Sequence, residues 1–123
     1  MYSRISQYLA LLPILVFSEA LAVDEKQASF DFGYAMQASG SCQQLFMRLD
    51  TEKKMEAKLG IKLRGPSAPH KDAYFDGLLK ATGDEGKGLC ENAWTWYGCS
   101  GTRHPRLLIE NPFRNDSPQI CPY

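Results

Sequence analysis

A chain of 123 residues with 14 basic and 14 acidic side chains carries no formal net charge, and its length suits one domain with one small core. No basic cluster is visible, which argues against nucleic acid as a partner because phosphate binding needs clustered lysines and arginines. The same balance argues against a polybasic membrane tether.

The N-terminal residues have the three-part order of a secretory signal peptide. Arg4 lies in a short, positively charged first part, residues 8–17 are apolar, and Ala20-Leu21-Ala22 has the small-x-small pattern that precedes cleavage. The apolar stretch is too short for a membrane helix, which needs about 20 residues.

The sequence therefore predicts a signal peptide over 1–22 and a single helical, disulfide-containing domain over 23–123, with an irregular tail from about residue 111. We expect an exported protein, periplasmic or secreted, with no stable membrane insertion after cleavage.

Apolar spacing predicts four helices in this domain. The first covers residues 28–49, with Ser29 or Asp31 as N-cap; the second covers residues 51–59, between Asp50 and Gly60; the third covers residues 70–82; the fourth begins at Asp84 or Gly86 and ends at Gly98. Valine and isoleucine together number only four after residue 22, and no stretch alternates with period two. The predicted fold class is therefore mainly α, a small bundle of about four helices stapled by two disulfides.

Two features qualify this pattern. Gly33 and Gly40 weaken the first helix and mark either close helix contacts or a break near residues 38–41, and Gly77 permits close approach in the third helix. The stretch 89–101 (LCENAWTWYGCSG) holds both tryptophans and two cysteines. We interpret it as the segment onto which the others pack, with Trp94 in the core.

Four cysteines in an exported chain predict two disulfides. Of the three possible connectivities, we favour Cys42–Cys90 with Cys99–Cys121, because the first pair joins two apolar helix faces and the second ties down the tail. The main rival, Cys90–Cys99, is disfavoured because a helix between them holds the pair roughly 13 Å apart at about 1.5 Å per residue.

No motif assigns chemistry. His70 and His104 are possible ligands or bases, but neither a zinc-type spacing nor a nucleophile motif accompanies them, so we predict no metal, no cofactor and no assignable catalytic residue. The residues with the character of a contact surface are Trp96, Tyr97, Arg103, His104 and Arg106. For Trp96, we favour packing under the C-terminal tail over an exposed contact role.

The chain resembles the small exported, helical, cysteine-containing proteins of proteobacteria. The resemblance is carried by Ala20-Leu21-Ala22, by Phe32-Gly33-Tyr34 leading to Cys42, by Cys90-x-x-Ala93-Trp94-x-x-Tyr97-Gly98-Cys99-x-Gly101 and by Pro105-Arg106-Leu107-Leu108. It implies export and a helical body, and no activity. A looser likeness is to periplasmic acid-stress chaperones and to small immunity proteins, whose functional residues have no counterparts here.

These observations predict a non-enzymatic module that binds another envelope or extracellular protein, as an inhibitor, accessory subunit or stress chaperone. The alternative is a small secreted hydrolase that uses His104 or His70.

Overall fold

The computed structural model describes residues 24–48 and 50–123, so the predicted signal peptide lies outside the described residues. Within these ranges the elements are α1 (24–41), β1 (Leu45–Phe46), α2 (Thr51–Leu59), α3 (Lys71–Asp84), α4 (Leu89–Tyr97) and β2 (Ile109–Glu110). The predicted class, a small mainly α bundle with two disulfides, is confirmed. No helix in the described part of the chain has the length and apolarity to cross a membrane.

Helix α1 differs from its predicted bounds at both ends. It is already helical at residue 24, so Ser29 and Asp31 lie inside it rather than at its N-cap, and the Ser29 hydroxyl donates back to the Glu25 carbonyl at 3.0 Å. It ends at residue 41, within the break region that was the alternative to a continuous helix. Leu45 fits the helical spacing because it is buried in a strand, not because the helix continues.

The short β1–β2 ladder was not predicted. It is antiparallel, with Leu45 opposite Glu110 and Phe46 opposite Ile109. Two-residue strands are too short to show a period of two in the sequence. The ladder joins the segment after α1 to the segment that leads into the C-terminal tail.

The other helices follow their predictions closely. Helix α2 has the predicted bounds and ends at Gly60, whose φ of 71° is the left-handed conformation that favours glycine. Asp50 precedes it, but its side chain makes no capping hydrogen bond. Helix α3 extends two residues past its predicted end, and α4 begins only at Leu89 because Gly86 and Gly88 both have positive φ.

The core is centred on α1 rather than on α4. Helix α1 contributes the largest set of buried apolar side chains, and α4 contributes three; the α1 set is Ala28, Phe32, Tyr34, Ala35 and Ala38, and the α4 set is Leu89, Ala93 and Tyr97. The interpretation of residues 89–101 as the organising segment is therefore wrong, because α1 faces α3 as well as α4 and so buries more of its circumference.

Helices α1 and α3 cross at glycines, as the sequence indicated. A Cβ atom at Gly33 would collide with the backbone carbonyl of Tyr74, and one at Gly77 would collide with the backbone carbonyl of Phe30. Only glycine leaves room for the two backbones to approach so closely. The crossing places Phe30 and Tyr34 of α1 in fixed positions beside α4.

Both predicted disulfides are present, and the rival Cys90–Cys99 pairing is wrong. Cys42–Cys90 joins the end of α1 to the start of α4, with Cα atoms 5.7 Å apart. Cys99–Cys121 holds the tail beside the end of α4, also with Cα atoms 5.7 Å apart. The second bridge therefore brings the last residues of the chain to the loop that follows α4.

Candidate functional site

The predicted contact residues lie together around the end of α4, with one correction. Arg103 and Arg106 are exposed, and Trp96 and His104 are half-buried. Tyr97 is completely buried, so it is not a surface residue. It points into the core because it continues the buried stripe of α4 after Leu89 and Ala93.

The loop after α4 folds back over the end of that helix. The last carbonyls of a helix have no partners within it and must find donors elsewhere. Here the backbone N–H groups of Arg103 and His104 both donate to the Trp96 carbonyl, at 3.2 and 3.1 Å, and Arg106 N–H donates to the Gly98 carbonyl at 2.8 Å. The loop backbone is therefore held in place by the helix that it caps.

This arrangement places the Arg103 guanidinium over two aromatic rings. Its central carbon lies 4.9 Å from the centroid of Trp96 and 5.7 Å from that of Phe30. Cation–π contacts of this kind hold arginine in preference to lysine. Its Nε lies 3.9 Å from the Asp31 carboxylate, which is close enough to feel the charge but too far for a hydrogen bond. Arg103 is exposed, and within the described residues its guanidinium makes no hydrogen bond, so its N–H donors are available to a partner.

A buried acid lies beneath this arginine. Asp31 is 1 % exposed, and its Oδ1 accepts hydrogen bonds from the Tyr97 hydroxyl at 2.6 Å and from Gln27 Nε2 at 2.9 Å. Burial, and then the bond to Asp31, raises the pKa of Tyr97 above its usual range, so the phenol keeps its proton and donates. Asp31 therefore holds the Tyr97 and Gln27 side chains in place beneath Arg103.

A second tyrosine fixes the tryptophan from the side. The Tyr34 ring meets Trp96 edge-on with centroids 5.2 Å apart, and its hydroxyl donates to Asp84 at 2.7 Å. Burial and the bond to Asp84 raise the pKa of Tyr34 above its usual range. Trp96 is thus positioned by α1 and by Arg103.

Sequence reasoning missed Asp31 as a site residue because it was interpreted as an N-cap. Its spacing carried a signal: Asp31 stands three residues after Ala28, and four and seven residues before Ala35 and Ala38, so it lies on the buried stripe of α1. An acid on such a stripe needs buried donors, which points to an ordered polar cluster.

Two cavities adjoin the loop, and Lys58, His104 and Tyr123 line both. The first, about 210 Å³, also reaches Asp31 and Arg103, and the second, about 230 Å³, also reaches Arg106. His104 Nε2 lies 3.2 Å from the Tyr123 hydroxyl, and the two rings are nearly parallel at 14°. Burial lowers the pKa of His104 and raises that of Tyr123. Tyr123 was missed because it is distant from the loop in the sequence, and the Cys99–Cys121 bridge helps to bring the tail here.

Two larger cavities lie elsewhere, along the Cys42–Cys90 bridge. Their volumes are about 470 and about 600 Å³, and their charged lining residues are acidic, with Glu91 common to both. Trp94 lines the first of them and is half-buried, so it packs at the edge of the core rather than within it. Neither cavity contains any of the predicted contact residues.

Each histidine has one side-chain hydrogen-bond partner among the described residues. His70 pairs with Glu25 at 3.1 Å, and the only side-chain hydrogen bond of His104 in the described ranges is the one to the Tyr123 phenol. In residues 24–48 and 50–123, neither imidazole hydrogen-bonds to a serine, threonine or cysteine side chain, the usual nucleophiles of hydrolytic enzymes. Among the described residues there is also no group of three or more potential metal ligands.

No protein-family model matches the chain, and no curated protein or solved structure matches it either. The resemblance to small exported proteins stays a prediction.

Proposed function

We propose that this protein is an exported, non-enzymatic module that binds another envelope or extracellular protein. Its contact area is the Arg103 surface, which we define as Trp96, Arg103, His104 and Arg106. The observation that carries the proposal is the exposed Arg103 guanidinium, which lies over two aromatic rings and makes no hydrogen bond among the described residues.

Tryptophan, tyrosine and arginine are enriched among the residues that dominate binding energy at protein interfaces. An arginine already ordered by Trp96 and Phe30 loses little side-chain entropy on binding, which normally costs about 0.5–1.5 kcal/mol per immobilised side chain. The loop beneath it is equally ordered, because its N–H groups cap α4. The Arg103 surface is therefore preorganised for a partner.

Binding is favoured over hydrolysis by the pairing of the titratable groups. Asp31 accepts from Tyr97, and the two histidines face an acid and a phenol rather than a nucleophile. The hydrolase alternative requires that a purified activity disappear in the double variant His70→Ala/His104→Ala; an undiminished activity would exclude a histidine mechanism.

Export is supported by the two disulfides, since such bridges form and persist in oxidising compartments. Cell fractionation with a mass measurement checks this point: the exported chain should begin after residue 22 and should weigh four hydrogens less than its reduced form. A full-length, reduced chain in the cytosol contradicts export.

The binding proposal is tested by capture from envelope extract at neutral and acid pH, followed by affinity measurement with the captured partner. The test variant is Arg103→Gln, which removes the charge, and the control is Lys53→Gln, which removes a charge from an exposed position of α2. We expect the control to bind as wild type and Arg103→Gln to bind at least about tenfold more weakly, or about 1.4 kcal/mol. Equal binding by both variants, or no partner at either pH, contradicts the proposal.

A further inference from the structure

The cavity of about 230 Å³ beside the Arg103 surface has an unusual lining for a chain without net charge. Its residues are Lys58, His104, Pro105, Arg106 and Tyr123, and none of them is acidic. Two carry permanent positive charges, and Tyr123 and His104 add polar groups linked to each other at 3.2 Å. The lining therefore combines cations with hydrogen-bonding groups, which is the chemistry that recognises an anion.

Arg106 carries a second, independent signal. Its φ is 70°, and in the described part of the chain it is the only residue other than glycine with a positive φ. L-residues are strained in this conformation and glycine is not. The conformation is enforced because Arg106 N–H is bonded to the Gly98 carbonyl and the next two residues, Leu107 and Leu108, are buried.

A strained residue at a position where glycine would be relaxed indicates that its side chain is needed there. Arg106 is exposed, so the guanidinium is not required by the core. Its planar array of donors matches a carboxylate in two parallel hydrogen bonds. Lys58 supplies a second charge to the lining from α2.

We propose that this cavity binds the carboxylate of a glutamate or aspartate side chain of the partner protein. Arg106 and Lys58 supply the positive charge, and Tyr123 and His104 supply hydrogen bonds. The inference rests on the proposed protein-binding function and names the chemistry of the segment that the partner inserts beside Arg103.

The test uses the oxidised full domain and two synthetic decapeptides that differ only at three central residues, Glu-Asp-Glu in one and Gln-Asn-Gln in the other. Binding is followed by NMR titration of the His104 and Tyr123 ring signals. We expect the acidic peptide to bind at least about tenfold more tightly than its amide counterpart, and its affinity to fall as salt is added. We also expect the pKa of His104 to rise when the acidic peptide binds, because an anion stabilises the imidazolium.

The decisive variant is Arg106→Gly. It removes the guanidinium and relieves the backbone strain, so we expect the acidic peptide to bind at least about tenfold more weakly while the melting temperature stays equal or rises. A merely structural role for Arg106 predicts no change in peptide affinity. Lys58→Gln should also weaken binding, and Lys53→Gln, on the same helix but outside the cavity, should not.

Three results would overturn the assignment: equal affinity for the two peptides, wild-type affinity in Arg106→Gly, or inorganic phosphate or sodium acetate binding as tightly as the acidic peptide. The last of these would make the cavity a site for a small free anion. Partner capture that needs Arg103, with no acidic-peptide binding, would overturn the carboxylate site alone. Peptide binding that needs Arg106, with no captured partner, would overturn the protein-binding function.

Discussion

The hydrogen bond between Tyr97 and Asp31 should be a main determinant of the stability of the site. The Tyr97 hydroxyl lies 2.6 Å from Asp31 Oδ1, in the range of charge-assisted O–H···O⁻ bonds, and the two residues are 0 and 1 % exposed. Tyr97→Phe removes the donor and keeps the aromatic ring in the core. Hydrogen bonds to buried charges contribute about 1.5–3 kcal/mol.

Gln27 continues to donate to the same oxygen at 2.9 Å, so the expected loss lies near the middle of that range. We expect Tyr97→Phe to lower the free energy of unfolding by about 2 kcal/mol, equivalent to a fall in melting temperature of about 10 °C for a domain of about 100 residues. Urea unfolding of the oxidised protein at pH 7 measures the loss.

A double-mutant cycle with Asp31→Asn isolates the pairwise interaction. The asparagine variant retains an acceptor but removes the buried charge, so Tyr97→Phe should cost less in that background than in the wild type. Tyr34→Phe is the comparison, because its partner Asp84 also accepts from Lys80 at 3.0 Å. A loss below about 0.5 kcal/mol for Tyr97→Phe, or no coupling with Asp31, would refute the claim that this bond stabilises the buried acid.

Three further predictions concern stability. Burial lowers the pKa of His104 below its ordinary 6.5; the Asp31 charge opposes this shift to a smaller extent, and Lys58 and Arg106 add to it. Just below pH 6.5 the unfolded chain therefore binds more protons than the folded protein does. The melting temperature should fall as the pH drops from 7 to 5, and His104→Asn should flatten this dependence. Gly77→Ala forces a Cβ onto the backbone of α1, so it should lower the free energy of unfolding in urea by about 2 kcal/mol or more. Gly83→Ala lies on the same helix with no neighbour within 4 Å, so it should raise the free energy of unfolding by about 0.5–1 kcal/mol. The Thr51 hydroxyl is buried and has no hydrogen-bond partner among the described residues. Thr51→Val should therefore raise the free energy of unfolding by about 1 kcal/mol. A loss of stability would contradict this and would mean that the hydroxyl has a hydrogen-bond partner.

The helices were predictable where local signals were strong. Helix α2 begins and ends where predicted, because Gly60 adopts the left-handed conformation that stops a helix. The predicted end of α1 was eight residues too far, because Leu45 is buried by strand pairing and so imitates the helical spacing. Apolar residues recur in the sequence because they are buried. Over so few residues, their spacing does not distinguish burial in a strand from burial on a helix face.

The candidate site was predictable only in part. Arg103, His104 and Arg106 were among the predicted contact residues, and they are neighbours in the sequence. Tyr123 and Lys58 were not, because they reach the same cavity from the tail and from α2. The aromatic support of Arg103 also comes from a distant residue, Phe30 of α1.

The sequence by itself determined the helical class, because periodicity is a property of the chain read along its length, and it favoured one pairing of the cysteines, which the structure then confirmed. It also allowed close approach at Gly33 and Gly77, since only glycine lacks the atom that would prevent it, and the structure decided between close contact and a break at Gly33. The tertiary structure alone decided that Tyr97 is buried against Asp31, and that Arg103 lies over Trp96. Such contacts depend on the angle at which helices cross and on the bridge that returns the tail, and neither is encoded within one local segment.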